Sequence, residues 1–305
     1  MELSSGSVVG GVPLNDLPEE CWENVLSFTT PRDVCRLCAV SPIFKSAAES
    51  DVVWQSFLPQ DLESILSTSP DASILMSSAS SKKEVYFSLC DYPIIVDNWR
   101  KSFSLEKKSG KRCYMLSARD LTIVWGDTPP YWRWNSDPSS RFGEVAELIS
   151  VCWLEIRGKI NATMLSPATL YTAYLVFRPT GGVYGLDYHP VEVRVGLVGS
   201  ESGKRNVYLD SESGCKQQYH FVRRHTRIFN RGRIVGMPAS EPARESDGHY
   251  PKKRGDGWLE IELGDFFCKE GEDGELEMNV QEVKSGNWKG GLIVEGIEIR
   301  PKEDT

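Results

Sequence analysis

The sequence predicts an α+β protein with two domains, a small N-terminal three-helix bundle followed by an all-β sandwich or jelly roll. Up to residue 58, apolar side chains recur at the three- and four-residue spacing of short helices. From about residue 93 they recur at a period of two in short runs, many of them separated by glycine-rich turns. With 305 residues, 40% of them apolar and 26% charged, the chain is large enough to fold as two such domains.

Three helices with clear start signals are predicted between residues 13 and 58. Asp16 can cap the first helix, with Glu19 three residues later, and Thr30 and Ser41 each precede a proline that starts the next helix. A bundle this short buries too little apolar surface to be comfortably stable alone, and its apolar residues cover more than one face. It therefore either docks on the rest of the chain or completes its core on another protein.

This N-terminal segment resembles an F-box. The resemblance covers the whole segment and is carried, in order, by Leu14–Leu26, Pro31–Val34, Val40–Phe44 and Val53-Trp54. It implies that the chain binds the Skp-family adaptor of a cullin–RING ubiquitin ligase through the first helix and the proline-led turn. The contact residues that it implies are Leu14, Leu17, Pro18, Trp22, Val25, Leu26, Pro31, Val34 and Leu37.

Two segments without a clear fold of their own flank the predicted bundle. Residues 1–12, rich in Gly, Ser and Val, are predicted to form a flexible tail. Residues 59–95 are predicted to form a connector with short helices at Gln60–Ser67 and Lys82–Cys90 and a serine-rich, loop-like segment, Ser69–Ser81, between them. We expect this connector to act as a spacer that proteases cleave readily.

The predicted β-sandwich covers residues 96–305. Its candidate strands are Arg112–Leu116, Leu121–Trp125, Val151–Ile160, Tyr171–Phe177, Val191–Val198, Trp258–Leu263, Leu276–Val283 and Leu292–Arg300. No internal repeat is visible, which argues against a propeller or a solenoid.

The most unusual segment of the predicted sandwich runs from Trp125 to Trp134 and holds three tryptophans and a tyrosine around a Pro-Pro turn. In an extended segment Trp132 and Trp134 share a face, and Tyr131 points away from them. Pyranose rings pack their C–H faces on indole rings, while polar side chains such as Asp127 can bind hydroxyl groups. The segment predicts a carbohydrate or peptide groove; the alternative is that these rings belong to the protein core.

The same region resembles the phloem protein 2 lectins of the Nictaba type. The resemblance runs in order from about Lys111 to Pro301 and is carried by Ser117–Asp127, Tyr131–Trp134, Glu144–Leu148, Val151–Ile160, Tyr174–Phe177, Asp256–Ile261 and Gly296–Pro301. It implies a β-sandwich that binds N-acetylglucosamine oligomers and N-glycan cores. The tryptophans that it implies as functional residues are Trp125 and Trp132, and the full candidate set is Trp125, Asp127, Tyr131, Trp132 and Trp134.

Composition argues against several other classes of protein. The eight cysteines are scattered and are most simply free thiols of a reducing compartment, and the one close pair, Cys35 and Cys38, lacks the further ligands of a zinc site. We therefore expect no metal and no cofactor. No apolar run is long enough to span a membrane, and the N-terminus lacks the features of a secretory signal. The expected location is the cytoplasm, the nucleus or both.

A basic stretch in residues 216–233 interleaves Lys216 and five arginines with aromatic residues, a pattern that can bind single-stranded nucleic acid. Its simpler interpretation is the solvated face of strands. Because the net charge of the chain is −8, we do not expect nucleic acid to be a partner.

Three functions are compatible with these patterns. The favoured one is the substrate receptor of an SCF-type (Skp–cullin–F-box) ubiquitin ligase, which presents a target, such as a glycosylated protein, without catalysis on this chain. The second is a stand-alone lectin for N-acetylglucosamine oligomers or N-glycans. The third is a glycosidase, which needs two carboxylates at a defined separation.

Overall fold

A computed structural model describes residues 17–186, 189–200, 202–210 and 250–303. The chain divides into a helical unit, residues 1–94 with 104–111, and a sandwich unit, residues 95–103 with 112–305. The predicted fold class is confirmed, because an N-terminal helical region precedes a β-rich region with two antiparallel sheets. The predicted tail 1–12 and the basic stretch 216–233 lie outside the described residues.

Among the described residues of the helical unit, seven segments form short helices. They are α1 (Glu19–Ser27), α2 (Pro31–Leu37), α3 (Pro42–Ala47), α4 (Asp51–Phe57), α5 (Leu62–Ser67), α6 (Ala72–Ser78) and α7 (Lys82–Asp91). The predicted caps of α2 and α3 form as expected, since the Thr30 and Ser41 side chains accept hydrogen bonds from backbone N–H groups of the first turns. At the start of α1, Pro18 stands at the N-cap, and the predicted cap, Asp16, lies outside the described residues.

The structure corrects the prediction of three helices and a loose connector. A fourth helix, α4, closes the predicted bundle, and the segment expected to be a loop, Ser69–Ser81, contains α6. Helix α6 buries Leu75, while its serines and the neighbouring Ile74 and Met76 are exposed. The connector is therefore a folded part of the helical unit and not a spacer.

The core of the helical unit forms around Trp54. This side chain is fully buried, its indole N–H donates to the Ala48 carbonyl at 2.7 Å, and its ring lies 5.1 to 5.8 Å from the rings of Phe57, Tyr86 and Phe87. Two of these rings come from α7, which explains why the predicted connector is ordered. Predicted bundle and predicted connector thus share one core.

Fourteen strands are present in the described residues, nearly all within the sandwich unit. They are β1 (Ile94–Val96), β2 (Lys101–Leu105), β3 (Arg112–Ser117), β4 (Thr122–Ile123), β5 (Trp132–Asn135), β6 (Val145–Leu148), β7 (Leu154–Asn161), β8 (Thr169–Tyr184), β9 (Val191–Leu197), β10 (Lys204–Val207), β11 (Lys252–Lys253), β12 (Leu259–Cys268), β13 (Glu275–Glu282) and β14 (Gly290–Pro301). The first residue of β1 and the last two residues of β2 are assigned to the helical unit.

Two sheets result from their pairing. One sheet has the order β1-β2-β3-β14-β8-β12-β11, with the β5–β6 hairpin attached to β14, and the other has the order β10-β9-β13-β7-β4. The sheets face each other closely at Gly158 of β7, where a Cβ atom would lie 3.0 to 3.2 Å from the side chains of Leu116, Leu121 and Ile297. Alternating buried and more exposed residues along β9 and β13 fit this arrangement.

One predicted strand of the sandwich is much shorter than expected. The sequence predicted a strand over Leu121–Trp125, but only Thr122 and Ile123 form β4. The chain then turns at Trp125, whose φ of 59° lies in the left-handed region. This turn takes the tryptophan out of the sheet and begins the surface described next.

Candidate functional site

The predicted adaptor-binding residues fall into two groups in the helical unit. Leu26, Pro31 and Val34 are buried in the core of that unit and hold α1 and α2 in place. Pro18 and Val25 are exposed, and Leu17, Trp22 and Leu37 are half-buried. Leu14 lies outside the described residues. The part of the predicted set that a partner can reach is therefore centred on α1.

Two apolar side chains that the sequence analysis did not include extend this surface. Phe28, directly after α1, is 89% exposed, and Val40, after α2, is also largely exposed. Large exposed apolar side chains of this kind are candidates for an interaction surface. Phe28 could have been recognised from its position one residue beyond the helix, whereas Val40 belongs to the motif that carries the resemblance.

A cluster of three aromatic rings lies on the sandwich unit, and we call Trp125, Tyr131 and Trp288 the aromatic cluster. The Trp125 and Tyr131 ring centroids are 5.4 Å apart with planes inclined at 42°, and those of Tyr131 and Trp288 are 6.4 Å apart at 38°. Trp125 is 44% and Trp288 54% exposed, while Tyr131 is half-buried between these contacts. Two indole rings are thus offered to solvent, supported by a tyrosine.

The backbone at Trp125 is held in a costly conformation. A left-handed conformation costs a non-glycine residue about 1 to 2 kcal/mol. Backbone hydrogen bonds keep the turn closed, since Gly126 N–H donates to the Ile123 carbonyl and Thr128 N–H donates to the Trp125 carbonyl, both at 2.9 Å. The turn therefore fixes an exposed ring in place at a cost in backbone strain, a combination that is common at binding sites.

Trp288 is fixed by its neighbour, Lys289. The Lys289 side chain is fully buried, and its Nζ atom lies 2.6 Å from a Glu282 carboxylate oxygen and 3.0 Å from the Cys152 carbonyl. Burial would raise the pKa of Glu282, but the hydrogen bonds from Lys289 and Ser285 hold it below its ordinary value. The carboxylate therefore remains charged at neutral pH, and this buried ion pair anchors the turn that carries Trp288.

The backbone around Trp288 is also tightly packed. Gly185 has a φ of 71°, and a Cβ atom on it would lie 2.1 Å from the Trp288 carbonyl oxygen. A Cβ atom on Gly290 would lie 2.2 Å from the Ile149 carbonyl oxygen. Glycine is required at both positions because a larger residue would displace the backbone next to Trp288.

The predicted carbohydrate-binding residues differ in their exposure to solvent. Trp125 and Asp127 are exposed and Tyr131 is part of the aromatic cluster, but Trp132 is only 2% exposed. Trp134 packs against the Arg119 guanidinium, 3.7 Å from its ring centroid, and donates its indole N–H to the Gly126 carbonyl.

The expectation that Trp132 and Trp134 line a groove therefore needs correction. Trp132 opens β5, which pairs with β6 at the edge of the larger sheet, so its side chain enters the core. Trp134 is half-buried, and its hydrogen bond to the Gly126 carbonyl supports the turn there. The role that the resemblance implied for Trp132 as a stacking residue does not fit its burial.

Sequence reasoning missed Trp288, an exposed tryptophan whose ring lies next to Tyr131. It is separated from Trp125 by about half the chain, and the pairing of Val151 with Lys289 and of Leu292 with Leu148 brings its turn to this surface. The available signal was a lone tryptophan inside the glycine-rich turn Gly286–Gly291. Tyr184 is a second missed residue, and its hydroxyl group donates to Ser150 Oγ at 2.7 Å.

A polar cavity of about 420 Å³ lies beside the same turn, lined by residues including His189, Asn206 and Asn287. Its Glu192 carboxylate accepts hydrogen bonds from Lys204, Lys284 and Gln281 at 2.8 to 2.9 Å. Mainly the hydrogen bonds from the two lysines lower the pKa of Glu192 to about 2. This carboxylate is already engaged by the protein.

A second group of carboxylates is buried in the larger sheet. Burial raises the pKa of Glu295, although it accepts hydrogen bonds from Ser140 and from the Arg141 N–H. Burial would raise the pKa of Glu298 too, but the charges of Arg254, Arg141 and Arg300 lower it to about 2. Both carboxylates are almost fully buried, so they stabilise the sheet and are not available to a substrate.

The described residues show no group of three or more His, Cys, Asp or Glu side chains that could hold a metal ion. Cys35 and Cys38, on and after α2, form no disulfide bond in the described residues. Among the helices that the structure describes, none is both long and apolar enough to cross a membrane.

Comparison with known proteins adds two family matches. A family model described as F-box domain matches residues 14–56, and one described as Phloem protein 2 matches residues 111–301. Both resemblances inferred from the sequence are confirmed.

Similar curated proteins come from Arabidopsis thaliana. "F-box protein At2g02240" is 47% identical over 300 residues, which cover 98% of this chain and 84% of that protein. "F-box protein PP2-B1" is 42% identical over 97% of this chain and 92% of its own length. "F-box protein VBF" is 44% identical over 94% of this chain and 99% of its own length.

Solved structures give much weaker similarities. The Podospora anserina GH26-CBM35 β-(1,4)-mannanase has a TM-score of 0.31 at 9% identity, and the match covers 63% of this chain and 28% of that one. TmCBM61 in complex with β-1,4-galactotriose has a TM-score of 0.29 at 10% identity, covering 61% of this chain and 91% of that one. Similarity at this level does not establish a shared fold.

The two family models agree with the architecture of the two units that they match. They also agree with the relatives, which are 42% to 47% identical over nearly the whole chain. The chain therefore belongs to the family of F-box proteins that carry a phloem protein 2 domain, the PP2-B proteins.

Proposed function

We propose that this protein is the substrate-receptor subunit of an SCF-type ubiquitin ligase. The observation that carries the proposal is that one chain combines an F-box whose α1 surface exposes apolar side chains with a lectin-like domain whose surface exposes the aromatic cluster. In this function the helical unit binds the Skp-family adaptor and the sandwich unit binds a target protein. A receptor of this kind acts by raising the effective concentration of the target near the ligase.

The adaptor-binding part of the proposal rests on α1. Val25 and Phe28 are exposed although neither contributes to the core around Trp54. Covering such side chains removes apolar surface from water and stabilises a complex. The buried residues Leu26 and Val34 act indirectly in this proposal, because they hold α1 and α2 in the arrangement that the adaptor binds.

The target-binding part of the proposal rests on the aromatic cluster. Exposed indole rings can stack on the C–H faces of sugars, so we propose that the target carries a glycan, with N-acetylglucosamine oligomers as the first ligands to test. The chain itself performs no covalent step in this proposal. The free cysteines of the described residues suit the reducing environment of the cytoplasm or nucleus, where we propose that the protein acts.

The adaptor-binding test uses two matched variants. Val25→Glu places a charge on the proposed surface, and Val52→Glu places one on α4; the two valines are 53% and 58% exposed, so neither change disrupts a core. We expect Val25→Glu to weaken binding of a purified Skp-family adaptor at least about tenfold, since a charge would be buried without a partner, and Val52→Glu to bind like the unchanged protein. Titration by isothermal calorimetry measures both affinities.

Equal binding by both variants would exclude the α1 surface. Absence of adaptor binding by the unchanged protein, together with glycan binding that depends on Trp125, would favour the stand-alone lectin instead. Turnover of N-acetylglucosamine oligomers by the purified chain would contradict the proposal that it performs no covalent step.

A further inference from the structure

Trp288 is the more exposed of the two tryptophans in the aromatic cluster, so most of its ring is available to a ligand. The contact of Trp288 with Tyr131, and of Tyr131 with Trp125, places three rings in succession with centroid steps of 6.4 and 5.4 Å. Each step is comparable to the length of one hexose unit in a β-linked chain. A single sugar covers one ring, so three successive rings match a longer ligand.

The rings are mounted on a rigid support. Trp125 sits on a hydrogen-bonded turn with a left-handed backbone, and Trp288 sits beside the fully buried Lys289, whose Nζ atom donates to the Cys152 and Asn287 carbonyls and pairs with Glu282. The Tyr131 carbonyl accepts hydrogen bonds from the Ile149 and Ser150 N–H groups. Aromatic rings that are already in position lose little conformational freedom on binding, which favours affinity.

Polar groups lie next to these rings. The Tyr184 hydroxyl contacts the Ile149 carbonyl and Ser150 Oγ, both close in sequence to the backbone groups that bind the Tyr131 carbonyl. Asp127 is exposed two residues after Trp125. Hydroxyl and carboxylate groups at the edge of stacking rings are what a sugar with equatorial hydroxyl groups requires, because its faces are apolar and its rim is polar.

We propose that Trp288, and not the buried Trp132, is the second stacking tryptophan of the sandwich unit, and that it forms an outer subsite for the third sugar of a β-linked oligosaccharide. This inference rests on the proposed carbohydrate binding and makes it more specific. The unit then recognises a run of sugars, with Trp125 at one end and Trp288 at the other. Monosaccharides contact only part of the site.

The test compares the full-length chain with three variants on N-acetylglucosamine, its β-1,4-linked dimer and its trimer, using isothermal calorimetry or ligand-observed NMR. We expect affinity to rise from monomer to trimer in the unchanged protein. Trp288→Ala should reduce trimer affinity about fivefold to tenfold, the size expected for loss of one stacking contact, and should reduce monomer affinity much less. Trp125→Ala should weaken all three ligands.

Trp99→Ala is the matched control. Trp99 belongs to another loop of the sandwich unit, is 55% exposed and also has a left-handed backbone, with a φ of 67°. We expect this variant to bind all three ligands like the unchanged protein. Trp288→Phe keeps a ring on the same turn, so the logarithm of its trimer affinity should fall by about half as much as that of Trp288→Ala. This variant also tests the subsite if Trp288→Ala does not fold.

The results separate the two proposals. If Trp125→Ala weakens binding while both Trp288 variants bind the trimer like the unchanged protein, the subsite at Trp288 is wrong and carbohydrate binding stands. If the unchanged protein binds none of the three ligands, carbohydrate binding of this class and the subsite are both wrong, while adaptor binding is unaffected. Equal loss for monomer and trimer in Trp288→Ala would also contradict an outer subsite.

Discussion

The two units differ in which apolar side chains they expose and in the elements that carry them. In the helical unit the tryptophan Trp54 is fully buried and the exposed residues, Val25 and Phe28, lie on or next to a regular helix. In the sandwich unit Trp125 and Trp288 are exposed and stand on turns, while Trp132 and Trp258 are buried. A helix face offers a continuous apolar surface that suits another polypeptide, whereas rings on turns leave polar groups between them that suit a sugar.

The units also differ in what holds these surfaces in place. The α1 surface depends on a core built from nearby residues of short helices. The aromatic cluster depends on a left-handed backbone at Trp125 and on a buried ion pair, Glu282–Lys289, two features that cost free energy when considered alone. The contrast suggests that the sandwich gives up stability to position its rings, and three changes test this comparison.

The largest effect is expected from Trp54→Ala in the helical unit. Removing a fully buried indole that contacts three rings should lower the free energy of unfolding of this unit by about 4 kcal/mol. Hydrogen–deuterium exchange read by mass spectrometry should show faster exchange in peptides from α1 to α7. Adaptor binding should be lost and glycan binding retained.

Phe28→Ala is the control for this change, because Phe28 is exposed and its loss leaves no cavity. Its exchange pattern should match that of the unchanged protein. Faster exchange in the sandwich strands of Trp54→Ala, to the same extent as in the helices, would show that the two units do not have separate stabilities.

An effect of about 3 kcal/mol is expected when Lys289→Met leaves the Glu282 carboxylate buried without its cation. Exchange should rise in peptides from β13 and the start of β14, and trimer binding should weaken because the turn carrying Trp288 loosens. The double variant Lys289→Met with Glu282→Gln removes the unpaired charge and should recover part of the stability. Equal stability of the single variant and the unchanged protein would show that the ion pair does not anchor this turn.

The smallest effect concerns backbone strain at Trp125. Glycine adopts a φ of 59° without the penalty that alanine meets, so Trp125→Gly should be more stable than Trp125→Ala by about 1 kcal/mol. Thermal unfolding of the two variants measures the difference, and both should lose glycan binding. A more stable alanine variant would mean that the turn is not strained in the way the backbone angle indicates.

The sequence alone predicted most of the fold, because the signals for it are local. Thr30 and Ser41 with their following prolines marked two helix starts, and alternation of apolar residues marked the long strands. The loop prediction at Ser69–Ser81 was wrong because a serine-rich composition favours a loop locally, whereas tertiary packing buries Leu75 and stabilises a helix there. Helix propensity is a weak signal where burial decides.

The sequence predicts only part of the aromatic cluster on the sandwich unit. Trp125 and Tyr131 lie close together in the sequence, and their unusual density identified the region. Period-two alternation does not show which face of β5 is buried, and the resemblance implies a functional role for Trp132, a residue that the structure buries. Trp288 joins the cluster only through pairing across the sandwich unit, which no local pattern reports.

In the function that we propose, one molecule of this protein joins a Skp-family adaptor to a glycan. A resin carrying N-acetylglucosamine trimer, incubated with a purified Skp-family adaptor, measures this joining directly. We predict that the resin retains the adaptor only when the full-length chain is present, and that both Val25→Glu and Trp125→Ala abolish retention. Failure of the chain to retain the adaptor on this resin, although the chain itself is retained, would contradict the claim.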